Sequence, residues 1–376
     1  MRCGGECQRR PEDFFALSRC RTTYFHENDM PTAKPLQRFP TILATMAMAS
    51  AALTLAGAAF VQASADTPVM ADAPKETPLS TVESLHTAFG DHHAEHGRAI
   101  HAKGVIFEGT FTPAPEARSI VKTSIFTGGP LPIIARFSLF AGAPNVPDNA
   151  DAASPAGFSI KVKAVDGDDF DVQCINARDF AVATSDDFAA LMRALGTTKP
   201  DSPHPNPVEQ FLATHPHTKE FLARRTYPVS YAEAKYFGLN SMKFTNANGK
   251  SVYVRYQFVP RAGEHYLTPE ERKAKSGSYL QDEIVERAAK GPIVFDWYAQ
   301  IAEKGDKIED PSIAWPDTRK LVKLGTFSIE RQPSDLKTVN RTLVFLVGQY
   351  HVGAEPADPM LVLRNTADPI SFGQRQ

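Results

Sequence analysis

The stretch Arg98-Ala-Ile-His101-Ala-Lys-Gly104 sets a histidine between a cation three residues before it and a Lys-Gly pair just after it. An imidazole near neutrality takes up and returns a proton, so His101 is a candidate acid–base group. For the residue taken alone, a satisfied, half-buried histidine is the competing reading. The apolar run Val105-Ile-Phe107 continues it into a predicted strand, Gly104–Phe111.

Outward from there, Pro132–Phe140, Gly157–Val162 and Phe170–Ile175 have strand-like length and β-branched or aromatic content. A helix is predicted from about Thr81 to Gly90. Another is predicted over Asp186–Leu195, with Ser185 as its N-cap. From 207 to 237 the pattern is helical and interrupted by prolines. Asn248-Gly249 is a hairpin signal leading into Ser251–Phe258, where Val252, Val254, Tyr256 and Phe258 share one face. Thr268-Pro-Glu-Glu271 reads as a capping box with proline at the first helical position, and its helix is expected to run to Ala289 with a break at Gly277. Strands are expected at Ile293–Trp297 and Leu321–Ile329, and Leu343–Gly348 is strand-like. Many antiparallel strands followed by inserted helices give an α+β fold with a barrel or sheet core.

Composition is that of an ordinary globular chain: 376 residues, 42% hydrophobic, 22% charged, net charge −2. That balance offers nothing to nucleic acid or an anionic membrane. Met30 opens a predicted secretory signal over 30–65. Lys34 and Arg38 are its positive region, Ile42 to Phe60 its apolar run and Ala63-Ser64-Ala65 its cleavage motif. A membrane anchor is the competing reading of that long run; its Ala and Thr content and the cleavage motif favour a signal and hence a periplasmic or secreted protein. Residues 1–29, with Cys3, Cys7 and Cys20, are expected to be a non-native extension. Residues 66–80 are expected to be a loose leader and 81–376 the functional domain. Cleavage after Ala65 leaves Cys174 alone, so no intrachain disulfide forms; a buried small apolar role suits it better than a redox one. His92, His93 and His96 lack the partner pattern of a metal site and read as a solvated loop.

The segments Arg98–Gly104, Ala135-Arg-Phe-Ser138, Ser154-Pro-Ala-Gly-Phe158, Trp315-Pro-Asp317 with Leu324-Gly-Thr326, and Asp358-Pro-Met-Leu361 with Arg364 stand in the order seen in haem catalases. Over roughly residues 80–376 the chain resembles the shorter, single-domain branch of that family, the catalase-related peroxidases. The resemblance implies an antiparallel β-barrel with surrounding helices, a haem b cofactor, a hydrogen peroxide or organic peroxide substrate and an external reductant. It allows a homo-oligomer. It implies that His101 moves a proton from one peroxide oxygen to the other, that Ser138 orients it, and that Arg98, Arg136 and Arg375 bind haem propionates. Phe188 falls where the family stacks a phenylalanine on the haem, although core packing explains that residue equally well.

Two departures stand out. An ungapped match puts Ile175 where the family has a catalytic asparagine, so Asn176 serves there only if β-pairing contains a bulge. The tyrosine that ligates iron in the family falls at Asp368, between Arg364 and Arg375, both of which fit. A carboxylate is a hard ligand for ferric iron, but an Asp oxygen extends roughly 3 Å less from its Cα than a tyrosine hydroxyl. Tyr350 and His351 are chemically competent replacements that nothing in the sequence places at the iron. The departure at Asp368 keeps two alternatives open besides a peroxidase: a catalase-fold protein with lost or weakened catalysis, and a fatty-acid hydroperoxide isomerase.

Overall fold

The computed structural model describes residues 76–92 and 95–376. The expected extension 1–29, the signal 30–65, Cys3, Cys7, Cys20, His93 and the leader up to residue 75 lie outside the described residues. The predicted leader ends sooner than expected. Thr77 accepts from Ser80 N–H in a capping box and Pro78 occupies the first turn, so α1 (Pro78–Phe89) begins before Thr81.

Nine antiparallel strands follow: β1 (Gly104–Pro113), β2 (Leu131–Ser138), β3 (Gly157–Val162), β4 (Phe170–Ile175), β5 (Tyr236–Thr245), β6 (Ser251–Pro260), β7 (Ile293–Ile301), β8 (Leu321–Arg331) and β9 (Ala354–Pro356). Each of β1 to β8 pairs with its sequence neighbour, β8 returns to β1, and β4 meets β5 through Ile175 and Phe237. Eight strands therefore close into a barrel, and β9 adds to the outside edge of β5. An eight-stranded barrel is just wide enough for side chains to fill. Here aromatic side chains fill it. Phe137 stacks on Phe158 with centroids 4.6 Å apart, and Trp297 stacks on Phe258 at 5.6 Å. On β7 the alternation is plain: Ile293, Phe295, Trp297 and Ala299 point inward.

The helices lie outside the barrel. They are α2 (Ser185–Thr197), α3 (Pro207–Thr214), α4 (Pro216–Ala223), α5 (Pro269–Ala274), α6 (Tyr279–Lys290), α7 (Leu336–Thr342) and α8 (Pro359–Gln374). The box at Thr268 forms as read, and the helix after it does break, with α5 stopping at Ala274 and α6 starting at Tyr279. The N-cap of α2 is Thr184 rather than Ser185: the Thr184 hydroxyl accepts from Asp187 N–H. Leu343–Gly348 is no strand. It is buried coil whose backbone is satisfied by side chains, with Leu343 O accepting from Arg98 and Arg375 and Leu346 N–H donating to Asp171 at 2.6 Å. The helical reading from 207 holds only to Ala223, and the stretch after it feeds β5.

Candidate active site

Side chains on β2, β3 and β4 alternate between the packed interior and the outer wall. The register lines up the outward ones in rows: Ser138, Gly157 and Ile175 in one, Arg136, Ser159 and Gln173 in the next. Against this wall lie α1, α2 and α8. Met360, Leu363, Arg364, Ala367, Asp368 and Ser371 are spaced three or four apart on α8 and so form one stripe facing the wall. Between them is a mainly apolar cavity; counted out through its open mouth, the empty space is about 1120 Å³.

His101 sits at the edge of this wall. Its N–H donates to Phe140 O at 3.0 Å and Ala102 N–H donates to Ala141 O at 3.0 Å, which carries the β1–β2 pairing past the strand ends. Its φ is +55°, a left-handed conformation that is uncommon for a residue with a side chain and costs of order 1 kcal/mol or more. Strain of this kind persists where surrounding contacts fix it. Ser138 Oγ lies 3.1 Å from His101 Nδ1, and Phe140 presents a T-shaped contact to the ring at 5.7 Å. Gly157 makes room: a Cβ there would fall 2.7 Å from Ser138 Oγ and 2.8 Å from His101 Cε1. Burial, and then the charges of Arg136, Arg364 and Arg98, push the imidazole down to about 3, with only the Leu139 backbone acting to raise it. His101 is therefore neutral at physiological pH.

Three guanidinium groups cluster beside it. Arg136 donates to Ala102 O at 2.9 Å, and its Nε is buried without a partner. Arg98 and Arg375 both donate to Leu343 O and Asn340 O. Their acceptors are backbone carbonyls; among the described residues no Asp or Glu pairs with any of the three. Burial pushes Arg136 and Arg375 down to about 10, and Arg98 well down too, with mutual repulsion adding to the effect on Arg98 and Arg136. Arg136 and Arg375 stay charged near neutrality. A largely buried cluster of one sign without counter-ions is costly, and a ligand carrying carboxylates would relieve it.

Arg364 donates to Asp368 Oδ2 at 3.0 Å and to Gln173 Oε1. Burial raises the Asp368 carboxyl and Arg364 opposes that shift. Phe188 lines the cavity in contact with Phe180 at 5.6 Å. The cavity thus brings together His101, Phe188, Arg364 and Asp368, with Ser138 behind the imidazole and the arginine cluster alongside.

Asn176 is not brought there. β3 and β4 pair without a bulge as far as Ile175, so Ile175 faces the cavity and the next residue turns away. Asn176 Oδ1 instead accepts from Ala156 N–H at 2.7 Å, clamping the end of β3 from behind. Tyr350 is 62% exposed, and His351, bonded to Asp168 at 2.9 Å, does not line the cavity. His92 and His96 contact Phe89 O and Arg375 O respectively, and no three potential metal ligands group together among the described residues. Gly157 and Gln173 have site roles that no sequence pattern assigned; Gly157 lies within Ser154-Pro-Ala-Gly-Phe158, and nothing in the sequence marks Gln173.

A closed antiparallel barrel with a neutral imidazole and a buried arginine cluster on its outer wall defines the class. Similarity to known proteins narrows it. The catalase family model matches residues 81–369. A catalase-related peroxidase of Synechococcus elongatus is 31% identical over 311 residues, covering 80% of this chain and 88% of that one. One of Mycolicibacterium paratuberculosis is 32% identical over 294 residues, covering 77% and 91%. A fungal catalase structure superposes with a TM-score of 0.65 at 22% identity, over 74% of this chain and 59% of that one. The chain belongs to the catalase family, spans nearly the whole length of these peroxidase relatives, and spans only about three-fifths of the fungal catalase.

Proposed function

We propose that this protein is a haem peroxidase reducing organic peroxides or hydrogen peroxide, with His101 as its acid–base group. The observation that carries the reading is a neutral, oriented imidazole lining an apolar cavity, with two buried arginines, Arg136 and Arg375, and the half-buried Arg98 behind it, none paired with a carboxylate among the described residues. The two relatives named catalase-related peroxidase agree with it. The residues fit haem b in two respects. The cavity is large and apolar, and Arg98, Arg136 and Arg375 would hold the propionates. Asp368 is the oxygen donor that α8 would offer to the iron; burial raises its carboxyl, and Arg364 acts against that shift.

Bound haem would supply the redox chemistry of peroxide cleavage. His101 would supply the proton transfers. In the tautomer whose Nδ1–H donates to Ser138 Oγ, Nε2 is the free base. It takes the proton from one peroxide oxygen and delivers it to the other, which leaves as water or alcohol. The depressed proton affinity keeps Nε2 open to accept at neutral pH. Carboxylates docked on the arginine cluster would cancel part of the charge that depresses it and raise its basicity toward the working range.

Asp368 favours a second reading, a catalase-fold protein that no longer turns over. One experiment separates the two. The protein is titrated with haem while the Soret band is followed, and peroxide consumption is measured with an electron donor. The peroxidase reading expects a saturable Soret shift and turnover that falls roughly 10²–10⁴-fold in His101→Gln at unchanged haem binding. A saturable shift without turnover, with turnover appearing in Asp368→Tyr, establishes the second reading. Absence of any Soret shift overturns the haem assignment.

A further inference from the structure

Behind the wall that carries His101 lies a second cleft, whose empty space out through its open mouth is about 590 Å³. Ser154 and Pro155 bound it on one side, and Asn176 to Asp179 on another. Phe221 and Arg224 to Thr226, from the end of α4 and the chain after it, complete it. Three guanidinium groups and one carboxylate line this space. Two of the arginines are committed: Arg224 pairs with Asp179 at 2.6 Å and Arg178 with Asp317 at 2.6 Å. Arg225 is not. Its ion-pair partner among the described residues is Asp151 at 3.8 Å, beyond hydrogen-bonding range, and Asp151 is already held by Arg272 at 2.5 Å and Tyr227 at 2.9 Å. The Arg225 side chain is only 25% exposed, and its guanidinium makes no hydrogen bond among the described residues. A largely buried fork of five donors without an acceptor fits a carboxylate bidentately. Phe221, Pro155 and Ala177 give the same cleft an apolar side.

We propose that this cleft binds a small aromatic carboxylate through Arg225 and Phe221, and that this anion is the reductant of the peroxidase. The second half rests on the peroxidase reading. The two cavities share a thin wall. Pro155 faces the cleft while Gly157 touches His101, and Asn176 faces the cleft while Ile175 faces the cavity. Asn176 Oδ1 joins the two strands of that wall through Ala156 N–H. A phenolic carboxylate bound there balances the reaction: ROOH + 2 ArOH gives ROH, H₂O and two ArO• radicals. Each phenol gives up one electron and one proton, and the O–O bond takes both pairs.

The test uses 4-hydroxybenzoate. Its binding to the full chain is measured by calorimetry without peroxide, and its oxidation is then followed in the haem-loaded protein. Binding is expected at one site, weakened at least tenfold in Arg225→Gln and in Phe221→Ala and partly restored in Arg225→Lys, with the same order in KM for 4-hydroxybenzoate and an unchanged KM for peroxide. Equal affinity in wild type and Arg225→Gln overturns the site. Displacement by inorganic phosphate as effective as by 4-hydroxybenzoate overturns the aromatic part. Binding that obeys the arginine rule, with peroxide turnover indifferent to it, overturns the reductant role alone. Binding that obeys the arginine rule, with no peroxide turnover in any protein including wild type, falls on the peroxidase reading instead.

Discussion

Replacing Gly157 by alanine tests the geometry of the imidazole directly. The new Cβ would stand 2.8 Å from His101 Cε1, 2.9 Å from Nδ1 and 2.7 Å from Ser138 Oγ. Carbon atoms rest at about 3.5 Å or more, so the ring must retreat by roughly 0.7 Å. It cannot move freely, because Phe140 is packed edge-to-face against it and its backbone is already at φ +55°. The 3.1 Å contact to Ser138 then breaks, at about 1 kcal/mol. Overpacking adds about 1–3 kcal/mol. Displacement of a reacting group by about 1 Å costs roughly 100-fold in rate, so a loss of about 10- to 100-fold in peroxide turnover is expected. The assays are thermal unfolding and single-turnover peroxide cleavage by the haem-loaded protein, with Soret absorbance to check loading. Gly129→Ala is the control, since nothing lies within 4 Å of the added Cβ there. Gly157→Ala matching that control in both stability and rate would refute the packing of His101 described here.

Other perturbations have equally definite outcomes. Ser138→Ala removes the 3.1 Å contact to Nδ1 and leaves the cavity shape intact; stability should fall by about 1 kcal/mol and turnover by roughly tenfold, read by denaturant melts and steady-state kinetics. Asp358 caps α8 and accepts from Asn240 at 2.8 Å; burial raises its carboxyl to about 6 against the lowering effect of those bonds. The folded state then holds a proton that the unfolded chain has lost, so this group's contribution falls as pH rises from about 4 through 6, by about 3 kcal/mol in all. Melts of Asp358→Asn should lose that component of the pH dependence. His101 has the opposite sign: its depressed affinity means stability of the haem-free protein falls as pH drops below about 6.5, and His101→Gln should flatten that limb. The N-terminus is open to direct test: expression of the full chain in a secreting bacterium should yield a mature protein starting after Ala65, and mass spectrometry of the intact chain would show an uncleaved product if the signal reading fails.

Much of the barrel was legible in the sequence because its strands are short, alternate cleanly and are bounded by turns. Gly157–Val162 and Phe170–Ile175 were read to the residue. β5 was not, because its register shifts between Gly238 and Met242, which breaks the period-of-two signal. Leu343–Gly348 looked like a strand because burial alone selects such residues. What the pattern could not show is that guanidinium and carboxylate groups, rather than a neighbouring strand, satisfy its backbone. The histidine side of the site was readable because Arg136 and Ser138 lie two apart on one strand and Arg98 and His101 lie just before another. Arg225 was invisible: its isolation is a property of Asp151, Arg272 and Tyr227, far apart in sequence.

The barrel closes where β4 meets β5, at the single residue pair Ile175 and Phe237, and both of those residues line the cavity. The thinnest joint of the sheet is therefore also the wall of the binding chamber. In hydrogen exchange that joint should open at a lower free energy than the long β7–β8 ladder, exchanging as a local unit. A ligand seated in the chamber would touch both sides of the joint and so would stabilise the closed form through its binding free energy. Loading would then be linked to barrel closure, and the empty chain would be most open to proteolysis and mispairing along this line.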